Sequence, residues 1–143
     1  SGFVCILNTP SIVPIRSLTA VKSIVPDSTV INELCERHGA NGIMVFTTIT
    51  VEELSTVHTR MFASPIGVTE DPATGSASGA LGAYLVRHGF VEVRPMTEII
   101  AEQGYEMDRP SLIHIEVESD DDAIQKVTVG GQVVMIIEGR LTF

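Results

Sequence analysis

Glu70-Asp71-Pro72-Ala73-Thr74-Gly75-Ser76-Ala77-Ser78-Gly79-Ala80-Leu81-Gly82-Ala83-Tyr84-Leu85 opens with two carboxylates and a proline, then carries no charge until Arg87. Gly, Ala and Ser stand where a surface helix would place Lys and Glu. A helix without a polar face belongs inside a protein, and small residues let neighbouring backbone come close. The stretch predicts a central apolar helix over about 74–88, stopped by His88-Gly89, where glycine supplies a left-handed terminal residue. Asp71-Pro72 suits a helix opening, with Asp as cap and Pro at the first helical position; Thr74 is the alternative cap.

Upstream, Phe3–Leu7 and Ile12–Arg16 read as strands, the second with a proline that suits an edge. Leu18, Val21, Ile24 and Val25 fall at helical spacing before Pro26. Asp27 or Ser28 then caps a helix that His38-Gly39 ends. Gly42–Thr48 has the continuous apolar character of a buried strand. In Leu54–Ala63, Val57, Thr59, Met61 and Ala63 alternate with Thr56, His58, Arg60 and Phe62. The stretch from Ser64 to Thr69 reads as an irregular loop. Downstream, Thr97–Gly104, Leu112–Glu118, Ala123–Val129 and Gln132–Gly139 read as strands, the last three separated by turns at Asp120-Asp121-Asp122 and Gly130-Gly131.

One apolar helix among roughly eight strands points to an α+β fold, a barrel-like sheet curled around that helix. The 143 residues suit a single domain over 1–143. The formal charge of −9, with nine Lys plus Arg and no basic cluster, disfavours nucleic acid and anionic membranes as partners. No apolar run approaches the roughly 20 residues of a membrane-spanning helix, and no signal peptide is evident. Cys5 and Cys35 form no CxxC pair, and the four histidines show no metal-ligand spacing, so no metal is expected and a cytoplasmic setting is the default.

Two readings of the helix opening stand side by side. In one, Asp71 and Thr74 terminate the helix while Gly75 and Gly79 ease packing. In the other, Gly75 and Ser76 present N–H groups, and Ser76 a hydroxyl, to a carboxylate or phosphate, with Asp71 beside it as acid or base. Arg60 pairs with Glu70, anchors Asp71, or lies on the surface.

Thr59-Arg60-Met61-Phe62, the run Gly67-Val68-Thr69-Glu70-Asp71-Pro72-Ala73-Thr74-Gly75-Ser76-Ala77 and the later Gly79-x-Leu81-Gly82-Ala83-Tyr84-Leu85 closely resemble the phenazine-biosynthesis (PhzF-like) isomerases. Glu102-Gln103-Gly104, Arg109-Pro110-Ser111 and Val129-Gly130-Gly131 extend the likeness. The resemblance implies the diaminopimelate epimerase-like fold, two pseudo-symmetric halves with a site between them and cofactor-independent proton transfer on a small carboxylic-acid substrate. It implies Asp71 as the active-site aspartate of this half, with Gly75 and Ser76 contacting the substrate carboxylate and Thr74, Glu70 and Arg60 in support.

The family's principal general acid/base is a glutamate in an N-terminal half that this sequence does not contain, so the likeness is to the C-terminal domain. Little or no isomerase activity is expected without that half, supplied by the same parent chain or a separate subunit. A stand-alone half barrel that dimerises with a second copy, as a small-anion binding or interaction module, is the alternative. Asp108 replaces a family glycine before Arg-Pro-Ser, which raises a question about the local turn.

Overall fold

The computed structural model describes residues 10–120 and 123–140. Among the described residues two helices and four strands precede the central helix. Strand β1 (Ser11–Pro14) lies at one end of the sheet, parallel to β2 (Ile43–Thr47). Between them run α1 (Leu18–Lys22) and α2 (Ser28–His38). Asp27 caps α2 by accepting from Thr29 N and Val30 N at 2.9 and 3.2 Å, and Gly39 ends it at φ 63°. The strand expected over Phe3–Leu7 lies outside the described residues.

Strand β3 (Val57–Ala63) is buried along its whole length, because both of its faces are covered. Val57, Met61 and Ala63 join the cluster around the central helix, while Phe62 joins Val21, Ile31, Cys35 and Val45 on the α1–α2 side. The alternation read from Leu54–Ala63 therefore separates two cores. The loop expected before the acidic pair is more ordered than its composition suggests. A 3-10 turn (Ser64–Ile66) leads into β4 (Val68–Asp71), which pairs antiparallel with β3 through a register shift between Met61 and Ala63.

The central helix, α3, runs Gly75–Arg87. Ala77, Ser78, Leu81, Gly82, Leu85 and Val86 are buried on it, and fully burying a leucine contributes roughly 1.5–3 kcal/mol. Strands β5 (Met96–Gln103), β6 (Ser111–Asp120) and β7 (Ala123–Gly131) follow. The sheet runs β1-β2-β3-β5-β6-β7, with β4 branching from β3, seven strands among the described residues. Every strand except β4 contributes an apolar side chain to the cluster around α3, so the sheet curls about the helix as a half-barrel. The wrap is one-sided: Gly75 and Ser76 are exposed, and Gly79, Ala80, Ala83 and Tyr84 are half-covered.

The strand expected over Gln132–Gly139 does not form. Gly130 and Gly131 extend β7 instead of turning, and residues 132–140 are irregular, with Val133 to Ile137 each 81–94% exposed. Their apolar character is real, but a strand needs a neighbour to take its N–H and C=O groups, and none lies beside them among the described residues. Among the described residues no helix is long and apolar enough to cross a membrane.

Candidate functional site

Asp71 is the last residue of β4 and pairs directly with Met61, which places its side chain on the α3 face of the sheet. Glu70, one residue earlier, turns to the opposite face. After Pro72 and Ala73 the chain reaches Thr74, whose extended backbone (φ −115°, ψ 94°) makes it the residue that opens α3. Its hydroxyl does not cap the helix; it donates to Asp71 Oδ2 at 2.5 Å. Gly75 and Ser76, both exposed, therefore begin a helix whose first N–H groups have no side-chain acceptor among the described residues, next to a half-buried carboxylate. The partial positive charge of a helix start makes such groups suited to an anion.

Three residues from beyond α3 hold this turn in place. Gln103, fully buried at the end of β5, donates through Nε2 to Asp71 O at 2.6 Å and Thr74 Oγ1 at 3.1 Å, and accepts from Thr74 N at 3.4 Å. Ser111, starting β6, donates to Pro72 O at 2.9 Å. Gly104 sits between them at φ 83°, where an added Cβ would fall 2.7 Å from Pro72 O and collide with Arg109 O. Only glycine allows that approach. The turn that follows needs a second left-handed residue, and Asp108 supplies it at φ 53°, ψ 31°. Aspartate tolerates this region better than most side chains, so replacing glycine there leaves the turn intact.

On the other face lies a network of buried charges. Arg60 forms a bidentate pair with Glu70 (2.8 and 2.9 Å) and donates to Val21 O and Ile24 O, tying β3 and β4 to the α1–α2 connection. Those hydrogen bonds to Glu70 outweigh burial and hold the guanidinium above its ordinary pKa. Beside it, His58 Nδ1 lies 2.6 Å from Glu102 and Nε2 lies 3.0 Å from Glu106. Glu102 also accepts from Val51 N and Glu52 N at 2.6 and 2.9 Å. Burial alone would push its carboxyl up, but these two N–H groups together with His58 bring it below its ordinary value. Tyr105, desolvated and hydrogen-bonded to Glu52, is pushed up to about 12. Among the described residues no group of three or more His, Cys, Asp or Glu side chains is arranged to hold a metal ion.

Residues 8–139 match the family described as phenazine biosynthesis-like protein. The chain belongs to that family. Over 128 residues it is 34% identical to an uncharacterized isomerase of Clostridium acetobutylicum, covering 89% of this chain and 42% of the relative. Over 82 residues it is 43% identical to the trans-2,3-dihydro-3-hydroxyanthranilate isomerase of Pseudomonas chlororaphis, covering 57% of this chain and 29% of that enzyme. A crystal structure of the Bacillus anthracis phenazine biosynthesis protein, PhzF family, superimposes with a TM-score of 0.70 at 30% identity, over 82% of this chain and 40% of that one. The chain thus spans less than half the length of these PhzF-like relatives.

Within this phenazine biosynthesis-like fold, the residues singled out in the sequence separate into two groups. Asp71, Thr74, Gly75 and Ser76 come together at the start of α3. Arg60 and Glu70 do not join them: they pair with each other, 4% and 12% exposed, across the sheet from α3. The surface position open to Arg60 in the sequence is thereby excluded. Gln103, Gly104 and Ser111 are the residues that sequence reading left without a role, although their motifs were visible. The signal was a Glu-Gln-Gly triplet ending a strand, where a buried amide and a glycine imply close backbone approach.

Proposed function

We propose that this chain is the C-terminal half of a cofactor-independent isomerase that moves a proton at a carbon of a small carboxylic acid. Gly75 and Ser76 would bind the substrate carboxylate through their backbone N–H groups, and Asp71 would act beside it as acid or base. The observation that carries this reading is the open start of α3, left uncapped because Thr74 gives its hydroxyl to Asp71. Family membership supports the isomerase class. One carboxylate rarely completes a proton transfer, so the principal acid/base group is assigned to a complementary half. A reducing, cytoplasmic setting accords with Cys35, a buried free thiol whose pKa burial pushes up.

The test is solvent-deuterium incorporation into a small acid substrate of the family by the chain alone, by the chain mixed with an N-terminal half from a relative, and by the mixture carrying Asp71→Asn. Exchange is expected only in the mixture, and the variant should lower it by about 10²- to 10⁴-fold. Rapid exchange by the lone chain, or an Asp71→Asn mixture as active as the parent, would sink the reading.

A second reading is favoured by the exposed apolar run Val133–Ile137 together with β1 and β7, each of which has only one strand partner among the described residues. In it the half-barrel dimerises and works as a small-anion binding module. Sedimentation over a range of concentrations separates the two, since a strict monomer that binds no carboxylate leaves the second without support.

A further inference from the structure

Thr74 owns a single hydroxyl proton, and three groups surround its oxygen in a way that decides where that proton goes. A carbonyl oxygen can only accept, so the Gln103 side-chain atom 2.6 Å from Asp71 O must be the amide nitrogen. That nitrogen has two hydrogens. One serves Asp71 O, and the other points to Thr74 Oγ1 at 3.1 Å. Thr74 Oγ1 is then an acceptor towards Gln103, and its own proton is donated towards Asp71 Oδ2 at 2.5 Å. The Gln103 oxygen faces Thr74 N at 3.4 Å, which agrees with the same orientation of the amide.

We propose that Gln103 and Thr74 are positioning residues that form a one-way hydrogen-bond relay, Gln103 to Thr74 to Asp71, holding the Asp71 carboxylate in a single orientation at the opening of α3. The functional meaning of that orientation rests on the reading of Asp71 as the acid/base of this half. Three features make the relay directional. Gln103 is fully buried at the end of β5, so its amide has no water to turn towards. Its contacts to Asp71 O and Thr74 N lock the amide against a flip. The hydroxyl it commits is the one that would otherwise cap α3, so the relay both orients Asp71 and keeps the first N–H groups of the helix open. The relay thus fixes Oδ2 as the oxygen that takes the Thr74 hydroxyl.

The experiment is carbon-13 and nitrogen-15 NMR of the full chain near neutral pH, reading the Asp71 carboxyl carbon, assigned by its loss in Asp71→Asn, and the exchange rate of the Ser78 amide, which donates to Thr74 O at 3.0 Å. Gln103→Glu has nearly the same shape but cannot donate to Thr74 at this pH, so the hydroxyl proton turns away from Asp71. It should displace the Asp71 carboxyl resonance in the same sense as Thr74→Val, and raise Ser78 exchange by about tenfold, as expected for one lost hydrogen bond. Thr74→Ser keeps the hydroxyl and should restore the parent spectrum. A purely structural role would leave Thr74→Ser and Thr74→Val distinguished by stability alone, with the Asp71 resonance fixed.

The relay is overturned if Gln103→Glu leaves the Asp71 resonance in place, or if Thr74→Ser perturbs it as Thr74→Val does. Should Gln103→Glu fail to fold, the two Thr74 variants decide the question. None of these readouts involves turnover, so the deuterium-exchange assay can fail while the relay stands, and the reverse.

Discussion

At Glu102 a carboxylate with no solvent exposure keeps its charge because two backbone N–H groups and His58 face it. Its pKa in the folded chain lies below the ordinary 4.5, so folding favours the ionised form. The stability it contributes is therefore present above about pH 4.5 and is lost as pH falls through the lowered value. Urea midpoints measured from pH 6 down to pH 3 should fall more steeply for the parent than for Glu102→Gln. The variant should also be about 3 kcal/mol less stable near neutral pH, because an amide cannot accept from every donor left behind. A Glu102→Gln chain with parental stability would refute this account. Of the buried network only the Arg60–Glu70 pair was among the sequence readings; His58 stood alone there. Its partner is 44 residues away and becomes a neighbour only when β3 and β5 pair. Asp71, Thr74, Gly75 and Ser76 were legible because all four lie within six consecutive residues.

The packing of α3 explains why so many of its residues are small. A Cβ at Gly82 would lie 2.5 Å from Ile115 Cγ2 and 3.3 Å from Val117 Cγ2, both on buried positions of β6. Alanine favours a helix over glycine by about 1 kcal/mol, but overpacking a tight core typically costs 1–3 kcal/mol. Gly82→Ala should thus lower stability by about 1 kcal/mol in urea denaturation. Gly79→Ala, whose Cβ would meet the half-buried Val129 at 3.3 Å, is the control and should stay within about 0.5 kcal/mol of the parent. Equal effects at both positions would mean that contact with β6 does not govern the choice of glycine at position 82. Helices α2 and α3 were readable because their stops are chemical: Gly39 and Gly89 are both left-handed, at φ 63° and 67°. Strand β4 was not, since four residues with a register shift carry too little periodicity. The run 132–139 showed the reverse problem, a strand pattern with no strand beside it among the described residues.

Across the whole molecule, the sheet is two blocks of strands joined at one place. Residues 11–71 build β1 to β4 with α1 and α2, and residues 96–131 build β5 to β7 as consecutive antiparallel pairs. The join is the parallel pairing of β3 with β5, only Val57 to Thr59 against Ala101 to Gln103. Curvature around α3 was foreseeable from the uncharged helix, but this seam was not, because sequence patterns report faces and not neighbours. Closing it means bringing together segments more than 40 residues apart, and non-local parallel contacts form slowly. In pulse-labelled hydrogen exchange during refolding, amides internal to the β5–β6 pair should gain protection before those at the seam; simultaneous protection would count against a late join. Gln103, the residue that orients the Asp71 turn, is also the last pair of the seam. A partly folded chain, even one with its hairpins complete, therefore carries Asp71 without the amide that holds its turn, and the site proposed around it is assembled only by that final closure.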